Sequence, residues 1–469
     1  MPTAAADPVK LDHAAPEATP DAYRIGTLVY TRRSLITLFL WILWGDFAIT
    51  TMAFITPSIL PLMLKDLGAT NQSMALICVT VPNALSLLIQ PIISVKSDRL
   101  RTRWGRRIPL LMLGTPFLTV CILLLGFSAP ISRWVYGLLD GRVSLGAIAL
   151  ATVAVLVVFM QFFNLMVSTA YYCLINDVVP SAFLSRFFAL FNIVNRVANF
   201  TFLWFILGNA LSHTAAIFIA IAVLYFVSFM LLALRVKEGE YPQPPPLPPS
   251  RVAVVKEYFT DTFGRFYYVA FFLALTFYSV GSVIGIFQIF FAASVGLSNA
   301  EYGKLGVWSG IPVLLLMYPA GILASRIHPI RAVLLSLVGF SVLHLFSLFF
   351  VRGFTSYAVM AFSSVFMTAL MNVTLGPLQM LIYPRDRYAQ FASAAALLTA
   401  GATIVLSYFA GVFIDWIGNY RFVYVWCVVF EVLATIFLYI VYRHWRIHGD
   451  TRDEVRPVES GFPVVPVSE

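Results

Sequence analysis

Asn192, Asn195, Arg196 and Asn199 fall at i, i+3, i+4 and i+7 of one apolar stretch, so a helix through them carries three amides and a guanidinium on a single face. Such a face cannot meet lipid. A second apolar stretch repeats the pattern with Gln161, Asn164, Ser168 and Tyr171, next to Tyr172, and a third contributes Asp46 and Thr50. Thinner stripes follow later: Tyr278, Ser282 and Gln288, then Thr368, Asn372 and Gln379. Amides, hydroxyls and aromatic rings suit a neutral polyol, whose hydroxyls both donate and accept and whose ring faces stack on aromatics. Isolated amides such as Asn83 and Asn209 read instead as ties between helices.

The elements that carry these residues must be membrane helices. The chain of 469 residues is 60% hydrophobic and only 11% charged, outside the range of soluble domains. A spanning helix needs about 20 apolar residues, and runs of that kind cover 35–60, 73–95, 108–128, 145–175, 187–211, 214–235, 267–293, 302–324, 330–351, 355–383, 391–417 and 422–442. The expected architecture is all-α and integral to the membrane, with twelve transmembrane helices in two pseudo-symmetric six-helix bundles. The expected units are a tail (1–34), a first bundle (35–235), a linker (236–266), a second bundle (267–442) and a second tail (443–469). Six prolines between Tyr241 and Ser250 give the linker a polyproline II character. The bundles echo one another: Ser94–Arg99 (SVKSDR) matches Gly321–Arg326 (GILASR), and Arg186–Asn192 (RFFALFN) matches Arg387–Ser393 (RYAQFAS).

Threading the chain in and out twelve times leaves only Lys65, Arg133, Arg142, Lys304, Arg352 and Arg421 in the segments of one side, and Arg196 within a helix. The rest of the 31 Lys and Arg lie on the other side. Positive charge marks the cytoplasmic side, so both termini are expected there, in a multi-pass protein of the cell membrane, the bacterial inner membrane being the suspected one. The start of the chain has no pattern of a cleavable signal peptide. The net charge of +9 fits anchoring against anionic lipid; because the basic residues are spread over many short loops, nucleic acid is not an expected partner. Cys78, Cys121, Cys173 and Cys427 stand singly in apolar stretches and suit packing.

Ionisable side chains deep in lipid cost about 2.5–3.5 kcal/mol each on insertion scales. Three stand clearly mid-helix: Asp46, Arg196 and Glu431. Asp46 and Arg196 are expected to face one another across the cavity of the first bundle. Glu431 is expected to pair with His344, as a structural tie or, alternatively, as a proton relay. His444 and His448 have i, i+4 spacing, but with Arg443 and Arg446 around them they fit a solvated helix end, and no metal or cofactor is expected. Asp415 and Arg421 are expected to pair across the last turn.

The loop after the second apolar run, with SDRLRTRWGRRIP from Ser97 to Pro109, resembles the signature loop of the major facilitator superfamily, and within it the glycoside-pentoside-hexuronide and sucrose transporter branch. Gly45–Ile49 (GDFAI) is similar to the melibiose permease form of the first helix, and the resemblance spans the whole chain in topology. It implies a loop that clasps the two halves, with Asp98 at the amino end of the eleventh helix near Phe391 and with Arg99, Arg106 and Arg107 on acids or lipid phosphates. Asp98, Arg99, Arg106 and Arg107 are therefore the expected gate. The sodium-coupled relatives carry two carboxylates one turn apart in the second helix, where this chain has Ser86 and Gln90 before Pro91, so a sodium site is not expected. The resulting expectation is a secondary transporter of a sugar or glycoside, working by alternating access with proton symport. Asp46, Gln161, Asn164, Tyr172, Asn192, Asn195, Arg196, Gln288, Asn372 and Gln379 would bind solute, and Asp46 would carry the proton. Rival readings are an organic anion drawn to Arg196 and a non-transporting assembly factor like the tetrapyrrole-delivery proteins of photosynthetic bacteria. An enzyme ranks lowest, since no nucleophile–base set, phosphate loop or zinc spacing falls at membrane depth.

Overall fold

The computed structural model describes residues 24–25, 27–140, 142–239, 258–384 and 387–448. The proline-rich stretch from Tyr241 to Ser250 and most of both tails lie outside them. A two-stranded hairpin, Arg24–Ile25 with Leu28–Val29, precedes the first helix. Among the described residues, twelve helices are long and apolar enough to cross a membrane: one (Arg32–Asp66), two (Asn71–Ile93), three (Ile108–Gly126), four (Leu145–Val178), five (Leu190–Asn209), six (Thr214–Arg235), seven (Phe266–Ser294), eight (Asn299–Ile327), nine (Pro329–Phe350), ten (Phe354–Ile382), eleven (Gln390–Ile417) and twelve (Tyr420–Ile447). These are the twelve spans expected from hydropathy, displaced by a few residues at their ends. At about 1.5 Å per residue, the 19 residues of helix three match the hydrocarbon layer, whereas the 34 of helix four overrun it and carry Asp177 beyond the apolar zone.

Packing repeats between the halves. In the first, helix three lies on four and six, helix one on five and six, and helix two on four. In the second, helix nine lies on ten and twelve, seven on eleven and twelve, and eight on ten. Each contact of one bundle thus recurs six helices later, which is the six-plus-six pseudo-symmetry expected from the sequence echoes. The first core is largely aliphatic, around Ile42, Leu111, Leu118, Val153 and Leu174. The second is aromatic: Phe391 lies edge-on to Tyr268, and Tyr383 edge-on to Phe271 and Phe272.

The halves meet through helix two on eleven, five on eight and one on seven. The helices loosen or tighten at these meeting points. Helix one widens by a residue at Ile55–Ile59, where Pro57 lacks a backbone donor, and helices two and five do so at Leu76–Thr80 and Phe202–Ile206. Helix seven tightens into a 3-10 turn at Ile284–Phe287. One element had no counterpart in the hydropathy reading: Ser128–Leu138 is a helix of 11 residues, too short to span, that packs on helix four and leaves Trp134 and Leu138 exposed.

Candidate functional site

At the end carrying the basic loops, Gly105 sits at φ 108°, a left-handed conformation that glycine alone adopts freely, and an added Cβ would lie 2.5 Å from the Glu238 carboxyl carbon. Its freedom aims three successive N–H groups at one carboxylate. The amides of Arg106, Arg107 and Ile108 donate to Glu238 at 2.9, 2.7 and 2.7 Å, so Glu238 caps the amino end of helix three. Arg106 Nε and Arg107 Nε both donate to Asp177 Oδ2, at 3.0 and 3.1 Å, and Arg107 also reaches Ser97. These two arginines therefore do pair an acid, and it belongs to their own half. Arg99 is exposed, and the side chain of Asp98 lies outside the described residues. Its expected neighbour Phe391 is buried against Tyr268 and Phe272. Sequence reasoning missed Glu238 and Asp177; the only signal was an acid just beyond helix six and another at the end of helix four, on the same face as the arginines. Replacing Glu238 by alanine strands three donors and is expected to cost about 1–3 kcal/mol. Thermal unfolding in detergent checks this, with Glu238→Gln, which keeps an acceptor, falling between alanine and the parent.

The opposite end is closed by bonds between the halves. Asp415 of helix eleven accepts from the Asn71 amide at 3.0 Å, the Asn71 side chain at 2.8 Å and the Gln72 amide at 2.8 Å, capping helix two. Tyr420 donates to Asn71 Oδ1 at 2.8 Å, Gln72 donates to Tyr408, and Thr80 meets Ser407 at 2.7 Å. The expected Asp415–Arg421 pair is not formed. Arg421 donates instead to the carbonyls of Leu348 and Val351, because the end of helix two offers Asp415 three aligned donors.

Near mid-membrane, Asp46 is fully buried and its Oδ2 accepts from Asn195 Nδ2 at 2.6 Å. Thr50 donates to Asn195 Oδ1 at 2.8 Å, so one amide joins helices one and five twice over. Asp46 Oδ1 is buried with no hydrogen-bond partner among the described residues. The expected Asp46–Arg196 pair is absent: among the described residues Arg196 makes no ion pair, and it stays half-buried. Consecutive helical residues diverge by about 100°, so when Asn195 turns to helix one, Arg196 does not. Gln161 donates to Thr56 at 2.9 Å, tying helix four to helix one, and Asn164 lies 3.5 Å from Gln161, its own oxygen buried without a partner. Tyr172 is half exposed, while its neighbour Tyr171 is buried and donates to the Ile42 carbonyl. Asn192, Asn83 and Asn209 each bond the backbone one turn earlier in their own helix rather than a neighbouring helix. Ser86 donates to Gln90 one turn later in the same helix, at 2.7 Å.

Two of the cavities formed by the described residues lie beside the second half and take part of their wall from the first. One, of about 440 Å³, is walled by Gln288, Tyr302, Tyr357, His344 and Glu431, with Leu203 from the first half. The other, of about 660 Å³, is walled by Gln379, Tyr383 and Thr399, with Val79 and Asn83 from the first half. Tyr278 and Ser282 line both and form the partition. Gln288 and Gln379, expected in one site, thus serve neighbouring spaces, and Asn372 is exposed and lines neither. The His344–Glu431 pair is formed, at 2.8 Å.

Residues 42–291 match the family model described as Major Facilitator Superfamily. No curated protein matches the chain significantly. Among solved structures, a bacterial homolog of the human lysosomal transporter Spinster, in an inward-facing and unoccupied conformation, superposes with a TM-score of 0.64 at 14% identity, over 89% of this chain and 99% of that one. The nucleoside transporter NupG superposes with a TM-score of 0.58 at 13% identity, over 87% and 99%. A D-xylose-proton symporter does so with 0.55 at 17% identity, over 87% and 96%. With twelve spans, two matching bundles and a family model over more than half its length, the chain belongs to the major facilitator superfamily and is a membrane transporter of that type.

Proposed function

We propose that this transporter moves a sugar or glycoside across the cell membrane by alternating access, coupled to protons, with both termini on the cytoplasmic side. The observation that carries the solute class is the wall of the two cavities. Tyr278, Tyr302, Tyr357 and Tyr383 supply aromatic rings to the lining, and Ser282, Gln288, Gln379 and Thr399 supply neutral polar groups, with His344 and Glu431 the ionisable pair among them. A polyol is recognised by that combination. Nucleoside and xylose transporters among the similar folds are in keeping with such a solute. The orientation rests on the basic residues gathered at the end of the Arg106–Glu238 cap. Gln161, Asn164 and Asn195 hold the first half's polar face, and Asp46 is proposed to carry the proton, as a buried mid-helix carboxyl that makes no ion pair among the described residues. Asp98 and Arg99 are proposed to complete the cytoplasmic gate in the opposite state of the cycle.

One observation favours a second reading. Arg196 is half-buried at membrane depth and makes no ion pair among the described residues, a cation that an organic anion would satisfy. Competition separates the two. Uptake into proteoliposomes of a labelled hexose or glycoside is expected to fall with unlabelled sugars and stay unchanged with carboxylates; displacement by carboxylates but not sugars would replace the sugar reading by the anion reading.

A further inference from the structure

We propose that His344 and Glu431 form a proton-binding site that opens on the 440 Å³ cavity walled by Gln288, Tyr302 and Tyr357. Glu431, on helix twelve, is 6% exposed, and His344 Nδ1, on helix nine, lies 2.8 Å from Oε1 and 3.0 Å from Oε2. Stacking fixes the imidazole: its ring centre is 5.4 Å from that of Tyr424 and 6.2 Å from that of Phe340, both nearly parallel. One ring nitrogen is thereby committed to the carboxylate. The other, Nε2, has no bonding partner among the described residues, and the side chain, 20% exposed, forms part of the wall of the 440 Å³ cavity.

The chemistry follows from the two nitrogens. With Nδ1–H donating to the carboxylate, the pair carries one negative charge and presents the Nε2 lone pair. A hydronium ion entering the cavity gives its proton to Nε2; one N–H bond forms, one O–H bond of hydronium breaks, and water remains. The product is an imidazolium against a carboxylate, with no net charge on the pair. The other titratable groups that face the pair are Tyr278 of helix seven, Tyr302 of helix eight, Tyr357 of helix ten and Tyr424 and Cys427 of helix twelve. All are hydroxyls or a thiol, so neither a cation nor a second carboxylate among the lining residues supplies the compensating charge. A tie between helices nine and twelve needs no ionisable groups, because apolar packing already joins them along their length. Placing the pair on the wall of a cavity is what a proton site requires.

This site does not depend on the role proposed for Asp46, and its test needs no solute. The full chain in lipid nanodiscs, with isotope-labelled histidine, is followed by nitrogen NMR from about pH 5 to about pH 9. Subtracting the spectrum of His344→Gln identifies the ring among the six histidines. The expected result is an Nε2 signal that moves between its neutral and protonated positions across that range, and that stays at the neutral position throughout in Glu431→Gln. An Nε2 signal that does not move in the parent protein, or that moves identically in Glu431→Gln, overturns the proposal. If His344→Gln does not fold, replacing His13, His213, His328, His444 and His448 by glutamine leaves His344 as the sole signal with its pair intact. Loss of proton-driven uptake on changing Asp46 leaves this result standing, so the two proton assignments fail separately.

Discussion

Gly411→Ala holds the end opposite the basic loops open and reduces transport roughly fivefold or more, whereas Gly401→Ala on the same helix leaves both unchanged. The difference is spatial. A Cβ on Gly411 would lie 2.6 Å from the Asn71 carbonyl oxygen and 2.6 Å from Gln72 Cα, both backbone atoms of helix two, while a Cβ on Gly401 meets nothing within 4 Å. Side chains can rotate away from an added methyl; a helix backbone moves only as a body. The clash falls beside the bonds from Asn71 and Gln72 to Asp415, so relieving it pulls those donors off the carboxylate. Overpacking costs about 1–3 kcal/mol, enough to shift a two-state equilibrium by roughly 5- to 150-fold. Spin labels at the exposed positions Asp66 and Trp416 report the result. In Gly411→Ala their separation lengthens and the distribution moves to the open state. A distance distribution and uptake equal to those of the parent would show that contact between helices two and eleven does not govern closure.

Much of this architecture follows from the chain's solubility alone. A backbone in lipid must satisfy its own hydrogen bonds, so every apolar run of about 20 residues is forced into a helix, and the twelve spans were visible at once. The His344–Glu431 pair was also visible, because few ionisable groups stand at that depth and each needs a partner. Partner choice among richer sets was not. Helical spacing put Asn195 and Arg196 on one broad face, yet which of the two meets Asp46 depends on the rotation of helix five against helix one, and no local pattern encodes that. Glu238 was hidden for a related reason: it caps helix three from 130 residues away in sequence, through a glycine whose left-handed turn aims the donors. Asp415 looked like the mate of a nearby arginine, and only the approach of helix two from the other half gave it better donors. The widened turn at Ile55–Ile59 had Pro57 as its single cue, while those in helices two and five serve a fit between bundles that exists only once both are folded.

Asp46→Asn leaves the protein folded and stops solute accumulation driven by a proton gradient, while exchange of solute across the membrane continues. The carboxyl accepts from Asn195 and makes no ion pair among the described residues, and an asparagine at this position still accepts from Asn195 Nδ2 through its own oxygen. Its amide then occupies the buried place of Oδ1, which has no partner at present, so the stability change is expected within about 1 kcal/mol. Breaking a buried ion pair would cost about 3–5 kcal/mol instead, a gap that thermal unfolding resolves easily. Arg196→Gln is likewise expected to be mild, and the double substitution additive within about 0.5 kcal/mol, as for residues that do not interact. A coupling above that figure would place the two charges together in another state of the cycle. Function divides the remaining roles. Vesicles loaded with solute measure exchange, which needs binding and the conformational change but no net proton movement; vesicles with an imposed pH gradient measure accumulation, which needs a titrating group. Exchange retained with accumulation lost at least tenfold assigns the coupling proton to Asp46. Loss of both in a folded protein assigns the carboxyl to solute binding through Asn195 and Thr50, and normal accumulation removes it from the mechanism.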